Sequence, residues 1–152
     1  MQLRALYPDF REFLRLLNEN GAEYLLIGGY AVGYYGYVRA TADMDVWVST
    51  SAENAERVRQ ALAQFGFAAD ASQIRFEPGD IYRLGVPPYR LEIVTEIDGV
   101  EFAECYARRV MVEVDGLAIP VIDLLSLRKN KLASGRPKDL ADLAALPEPD
   151  DS

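Results

Sequence analysis

Apolar residues recur at Phe10, Phe13, Leu14 and Leu17, the i, i+3, i+4, i+7 spacing of a helix that buries one face. Pro8 suits its first turn and Asn20-Gly21 its end, so a helix is expected over 8–20. The unbroken apolar run Tyr24–Ile27 reads as a buried strand. A short helix follows over 29–37, and Val46-Trp47-Val48 closes a second strand that starts at Asp43. Thr50 with Glu53 has the form of a capping box opening a helix that runs to about Phe65 and stops at Gly66. Phe67, residues 74–76 and Ile81–Leu84 are short strand candidates.

After Pro87-Pro88 the segment YRLEIVTEI alternates. Leu91 and Ile93 share one face of a strand, and Arg90, Glu92 and Val94 share the other. Asp98-Gly99 is a turn, with a short helix over about 101–107. Val110–Val114 and Leu117–Val121 flank Asp115-Gly116, a two-residue hairpin signal. A helix from Asp123 to about Ala133, a stop at Gly135 and a further helix opening at Pro137 complete the pattern. Strands and helices mix without strict βαβ alternation. The expectation is α+β, with a mixed β-sheet flanked by helices, in one domain over 1–146 with an acidic tail over 147–152.

Composition narrows the chemistry. The chain has 152 residues, half of them hydrophobic, enough for a real core. It contains no histidine, which removes Ser-His and Cys-His catalysis and the usual zinc sites. The lone Cys105 reads as a buried thiol. A net charge of −8 argues against a protein whose main work is coating nucleic acid. No signal peptide is visible. The longest uncharged stretch, 24–38, is glycine-interrupted and shorter than the roughly 20 residues a spanning helix needs. A soluble, cytoplasmic protein with no membrane partner is expected.

The chemistry-bearing segment is LLIGGYAVGYYGYVRATADMDVWV. Asp43 and Asp45 lie two residues apart on a strand, hence on one face, with Cα atoms roughly 6.6–7 Å apart. Two carboxylates so placed can share a hard divalent cation, with substrate phosphates completing the shell. Solvent exposure is the plainer reading of such a pair. Gly28-Gly29 is either a tight turn or a phosphate cradle at a strand-to-helix junction; neither a P-loop nor a G-x-G-x-x-G pattern is present. Glu92 is an acid inside an apolar strand, costly unless it pairs with Arg90 or Arg83 or binds metal. Arg128, Lys129, Lys131, Arg136 and Lys138 form a basic cluster, either a solvated helix face or a counter to phosphate. Tyr30, Tyr34 and Tyr37 share a helix face, for core packing or for base stacking.

The segments IGGYAVGYYGYVRATADMDVWV, PPYRLEIVTEIDGVEF and VIDLLSLRKNKLASGRPKDLADLAAL together resemble the nucleotidyltransferase-fold proteins of the DNA polymerase β superfamily. The nearer resemblance is to the AbiEii-like toxin branch of type IV toxin–antitoxin systems and its small stand-alone relatives. The resemblance implies a nucleotidyltransferase fold and transfer of a nucleoside monophosphate from a nucleoside triphosphate to an acceptor hydroxyl. It implies that Asp43, Asp45 and Glu92 bind Mg²⁺ or Mn²⁺ and carry catalysis. It assigns Gly28, Gly29, Arg39, Thr41, Lys131, Lys138 and Asp139 to nucleotide binding and site architecture. The acceptor is open among tRNA, a partner protein and a small molecule, and a cognate antitoxin or toxin is a possible partner. The third acid is usually aspartate in that family. Glu92 therefore keeps a second class in view, a nucleotide- or partner-binding module of the same fold without turnover.

Overall fold

The computed structural model describes residues 2–3, 5–37, 43–86 and 89–149. The first helix, α1 (Pro8–Glu19), buries Phe10, Phe13, Leu14, Leu16 and Leu17, as the spacing predicts. Burying side chains of this size contributes about 1.5–3 kcal/mol each. Next come β1 (Tyr24–Ile27), α2 (Gly28–Tyr34) and β2 (Asp43–Val48). Then follow α3 (Ala52–Leu62), a wide turn over Ala63–Phe67, the short α4 (Ala68–Ala71), β3 (Ile81–Leu84) and β4 (Arg90–Val94). The chain continues with α5 (Phe102–Ala107), β5 (Val110–Val114), β6 (Leu117–Val121), α6 (Leu124–Ser134) and α7 (Pro137–Ala145).

The strands make one mixed sheet in the order β3-β4-β2-β1-β6-β5. β2 runs antiparallel to β1 and parallel to β4, and β1 runs parallel to β6. The β5–β6 hairpin turns on Asp115 and Gly116, both at positive φ, the backbone a tight two-residue turn requires. The sheet's odd-numbered β2 face carries Asp43, Asp45 and Trp47. Trp47 is covered by Phe102 of α5, ring centroids 5.1 Å apart. Buried Asn54 of α3 clasps the other end of β1 and β2, through Glu23 N and O and Ser49 O at 2.7–3.0 Å. No helix among the described residues is long and apolar enough to cross a membrane.

Two expectations need correction. The cap of α3 is Ser51, which accepts from Asn54 N; it is not Thr50, and Glu53 instead pairs with Arg57. Residues 67 and 74–76 are not strands. Phe67 ends the wide turn that Gly66 makes with φ 111°. Around residues 74–76, side chains take the backbone groups. Arg59 donates twice to Ile74 O, and the Tyr82 hydroxyl accepts from Arg75 N and Phe76 N. The acidic tail also begins tied down. Arg128 bonds Pro147 O and pairs with Glu148.

Candidate active site

Strand register assembles the acids. Asp45 pairs with Ile27 on one side and with Glu92 on the other, and Glu92 pairs with Arg83. One row across four strands therefore reads Ile27, Asp45, Glu92, Arg83. The next row on the same face, two residues along, pairs Asp43 with Arg90. All six residues line a pocket of about 650 Å³. Gly28, Gly29, Lys131, Lys138 and Asp139 line it too. The pocket thus gathers every predicted site residue except Arg39 and Thr41, which lie outside the described residues.

Gly28 makes room for Asp45. Its φ is 66°, and an added Cβ would fall 2.0 Å from Asp45 Oδ2. The missing side chain is the space Asp45 occupies. Gly28→Ala costs about 1–2 kcal/mol in backbone strain before any clash, and the clash drives the Asp45 carboxylate out of its place. The expected result is a lower melting temperature together with loss of any ligand that Asp45 holds. An unchanged melting curve would sink this account.

Asp45 is the uncompensated acid. Among the described residues nothing donates a hydrogen bond to it. Burial, then the charges of Glu92 and Asp43, push its carboxyl up to about 7, while Lys138 and Lys131 pull the other way. The other two acids are engaged. Arg90 Nη2 and Nε reach Asp43 Oδ2 at 2.7 and 3.0 Å. Arg83 Nε reaches Glu92 Oε2 at 3.3 Å. As they stand, no three Asp, Glu, Cys or His side chains among the described residues close round a metal ion. The donor set itself suits a hard cation: three carboxylates on one sheet face, one lacking a hydrogen-bond donor.

The basic cluster divides by role. Lys131, on the last turn of α6, is buried and bridges Asp139 at 3.0 Å and Asp142 at 3.1 Å on α7. Asp139 also accepts from Ser134 and from Arg136. Burial alone would raise Asp139; these three donors outweigh it and hold the carboxyl at about 2. Arg128 is spent on the end of α7, and exposed Lys129 lines a smaller adjoining hollow of about 310 Å³. Lys138 is exposed on the pocket rim and forms no ion pair among the described residues. Lys129 likewise forms no ion pair among the described residues, and of these two only Lys138 lines the larger pocket. Sequence reading had no pairing for Arg90 on Asp43, and it missed Asp142. The i, i+3 spacing of Asp139 and Asp142 was the available signal for the latter.

The tyrosines pack. Tyr30 is fully buried with its ring edge-on to Phe10, and Tyr34 leans on Tyr35. Cys105 is buried, and burial pushes its thiol up, away from nucleophilic use.

The fold has a solved counterpart. A "putative nucleotidyltransferase" from Thermotoga maritima aligns over 93% of this chain and 94% of its own, with a TM-score of 0.61 and 16% identity. The likeness establishes a shared fold. No family model matches the chain, and no curated protein matches it in sequence.

Proposed function

We propose that the protein is a metal-dependent nucleotidyltransferase. One observation carries the reading: three carboxylates on one sheet face line a pocket together with Lys138, which forms no ion pair among the described residues. The shared fold and the sequence resemblance point the same way. In the reaction, the acceptor hydroxyl oxygen bonds to the α-phosphorus of a nucleoside triphosphate. The bond to the bridging oxygen breaks, pyrophosphate leaves, and the hydroxyl proton passes to solvent or to a base in the site. Asp43, Asp45 and Glu92 would hold Mg²⁺ or Mn²⁺, which when bound supplies charge neutralisation at the phosphates. Lys138 would counter the triphosphate charge. Lys131 and Asp139 would set the position of α7 and so of Lys138. The acceptor class stays as the resemblance leaves it: tRNA, a partner protein or a small molecule, in the setting of a toxin–antitoxin pair.

The test is transfer of α-labelled nucleoside monophosphate to total RNA, lysate protein or small hydroxyl acceptors, with Mg²⁺ or Mn²⁺. Label should appear on one acceptor class and vanish with Asp45→Asn. Lys138→Ala should weaken triphosphate binding roughly tenfold and nucleoside binding much less, with an unchanged melting temperature, since an exposed charge-assisted contact is lost. Equal effects on both ligands would remove Lys138 from the phosphate. A second reading, binding without turnover, is favoured by the arginines seated on Asp43 and Glu92 and by Glu92 itself. Tight nucleotide binding with no labelled product would select it.

A further inference from the structure

Arg90 is seated on Asp43, the first of the three acids. It is the register partner of Asp43, and two of its nitrogens converge on one oxygen, Oδ2. The charges of Glu92 and Asp45 also act on it. The pair is partly buried, with side chains 33% and 17% exposed. Arg83 makes a looser contact to Glu92, through one nitrogen at 3.3 Å, and is 56% exposed. The cluster therefore carries its own counter-cation, held mainly by Asp43.

A divalent cation arriving alone must take Asp43 from Arg90 and leave a guanidinium beside it. Arg90 lines the same pocket as Lys138. A triphosphate entering that pocket offers the released guanidinium a new anion, and the planar fork suits phosphate as well as carboxylate. One charge-assisted pair replaces another, and the repulsion between Arg90 and the metal is relieved.

We propose that Arg90 keeps the acid cluster closed to a lone divalent cation and exchanges onto the phosphates of an incoming triphosphate, so that cation and triphosphate bind as a coupled pair. The inference rests on the nucleotidyltransferase reading and adds its regulation. Coupling of this kind typically amounts to 5- to 150-fold in affinity, roughly, and is reciprocal.

The test measures Mn²⁺ binding by electron paramagnetic resonance on the full chain without nucleotide. Arg90→Gln should tighten lone Mn²⁺ by about tenfold, and Arg90→Lys, which keeps the charge and loses the fork, by less. Arg83→Gln removes the same charge from the looser contact and should change the affinity less than about threefold. At saturating Mn²⁺, Arg90→Gln should weaken a non-hydrolysable triphosphate analogue by about tenfold. Thermal melts confirm that each variant is folded; should Arg90→Gln fail to fold, Arg90→Lys carries the comparison. Unchanged or weaker lone-Mn²⁺ binding in folded Arg90 variants overturns the proposal, as does equal tightening by Arg83→Gln or undiminished analogue binding. If Mn²⁺ binding occurs and is lost with Asp45→Asn while Arg90→Gln changes nothing, the metal site stands and only this inference falls. If neither wild type nor any arginine variant binds Mn²⁺, both fall together.

Discussion

Lys131→Met should lower the melting temperature by roughly 10 °C at neutral pH. The lysine side chain it replaces is 8% exposed and pairs with Asp139 and Asp142, whose side chains are 5% and 2% exposed. Burying apolar methionine in its place leaves two buried carboxylates without that cation. Removing one partner of a buried pair costs about 3–5 kcal/mol, because the stranded charge stays desolvated. Arg136 and Ser134 still serve Asp139, which places the loss toward the lower end. The pH dependence is fixed in sign. Asp139 is depressed to about 2 in the fold, below its ordinary unfolded value. Its contribution is therefore complete above about pH 4 and lost as pH falls toward 2. Differential scanning calorimetry from about pH 2 to pH 8 is the check. A variant that melts with wild type would show that α6 and α7 are not held by this network, and would free Lys131 to act on phosphate alone.

Asp45→Asn should do the reverse. It should abolish divalent-cation binding and yet raise stability in metal-free buffer. With the folded carboxyl at about 7 and the unfolded one near 3.9, the native state holds a proton that the unfolded chain gives up. Stability thus falls as pH rises from about 4 to about 7, and the full penalty persists above that. The raised value corresponds to about 4 kcal/mol as a ceiling; for a partly buried group still reached by solvent a gain on the order of 2 kcal/mol is expected. Melts in EDTA should show Asp45→Asn several degrees above wild type at pH 8 and level with it near pH 4. Mn²⁺ should raise the melting temperature of wild type and not of the variant. Equal melting at pH 8 in EDTA would mean that the acid cluster imposes no charge strain.

Much of the architecture is legible in local pattern. The limits of β1, β2, β5 and β6 follow from apolar runs and from Asp115-Gly116. Those of α6 and α7 follow from Asp123, Gly135 and Pro137. These are signals within a few residues, set by backbone sterics and capping, and no distant partner is needed to read them. The cap at Ser51 rather than Thr50 is a one-residue miss in a local signal; the larger failure comes from partners outside the segment. Residues 74–76 look like a strand, yet Arg59 and Tyr82 satisfy their backbone from elsewhere in the chain. Glu92 could be matched in sequence with either arginine; the parallel register of β2 on β4 gives Arg90 to Asp43 and leaves Arg83 for Glu92.

The sequence by itself determined which residues are the candidates for chemistry: two aspartates on one strand face, an acid inside an apolar strand, and a helix–glycine–helix segment rich in cations. Strand alternation and helix capping are short-range, so composition and spacing suffice for that. Only the tertiary structure decided what each charge is for. Lys131 is sealed between α6 and α7 and Lys138 is left open. Gly28 makes room for Asp45, and Arg90 stands on Asp43. A charge's role depends on its burial and on partners in other elements, from 8 to 47 residues away, and both are set by sheet register and helix packing.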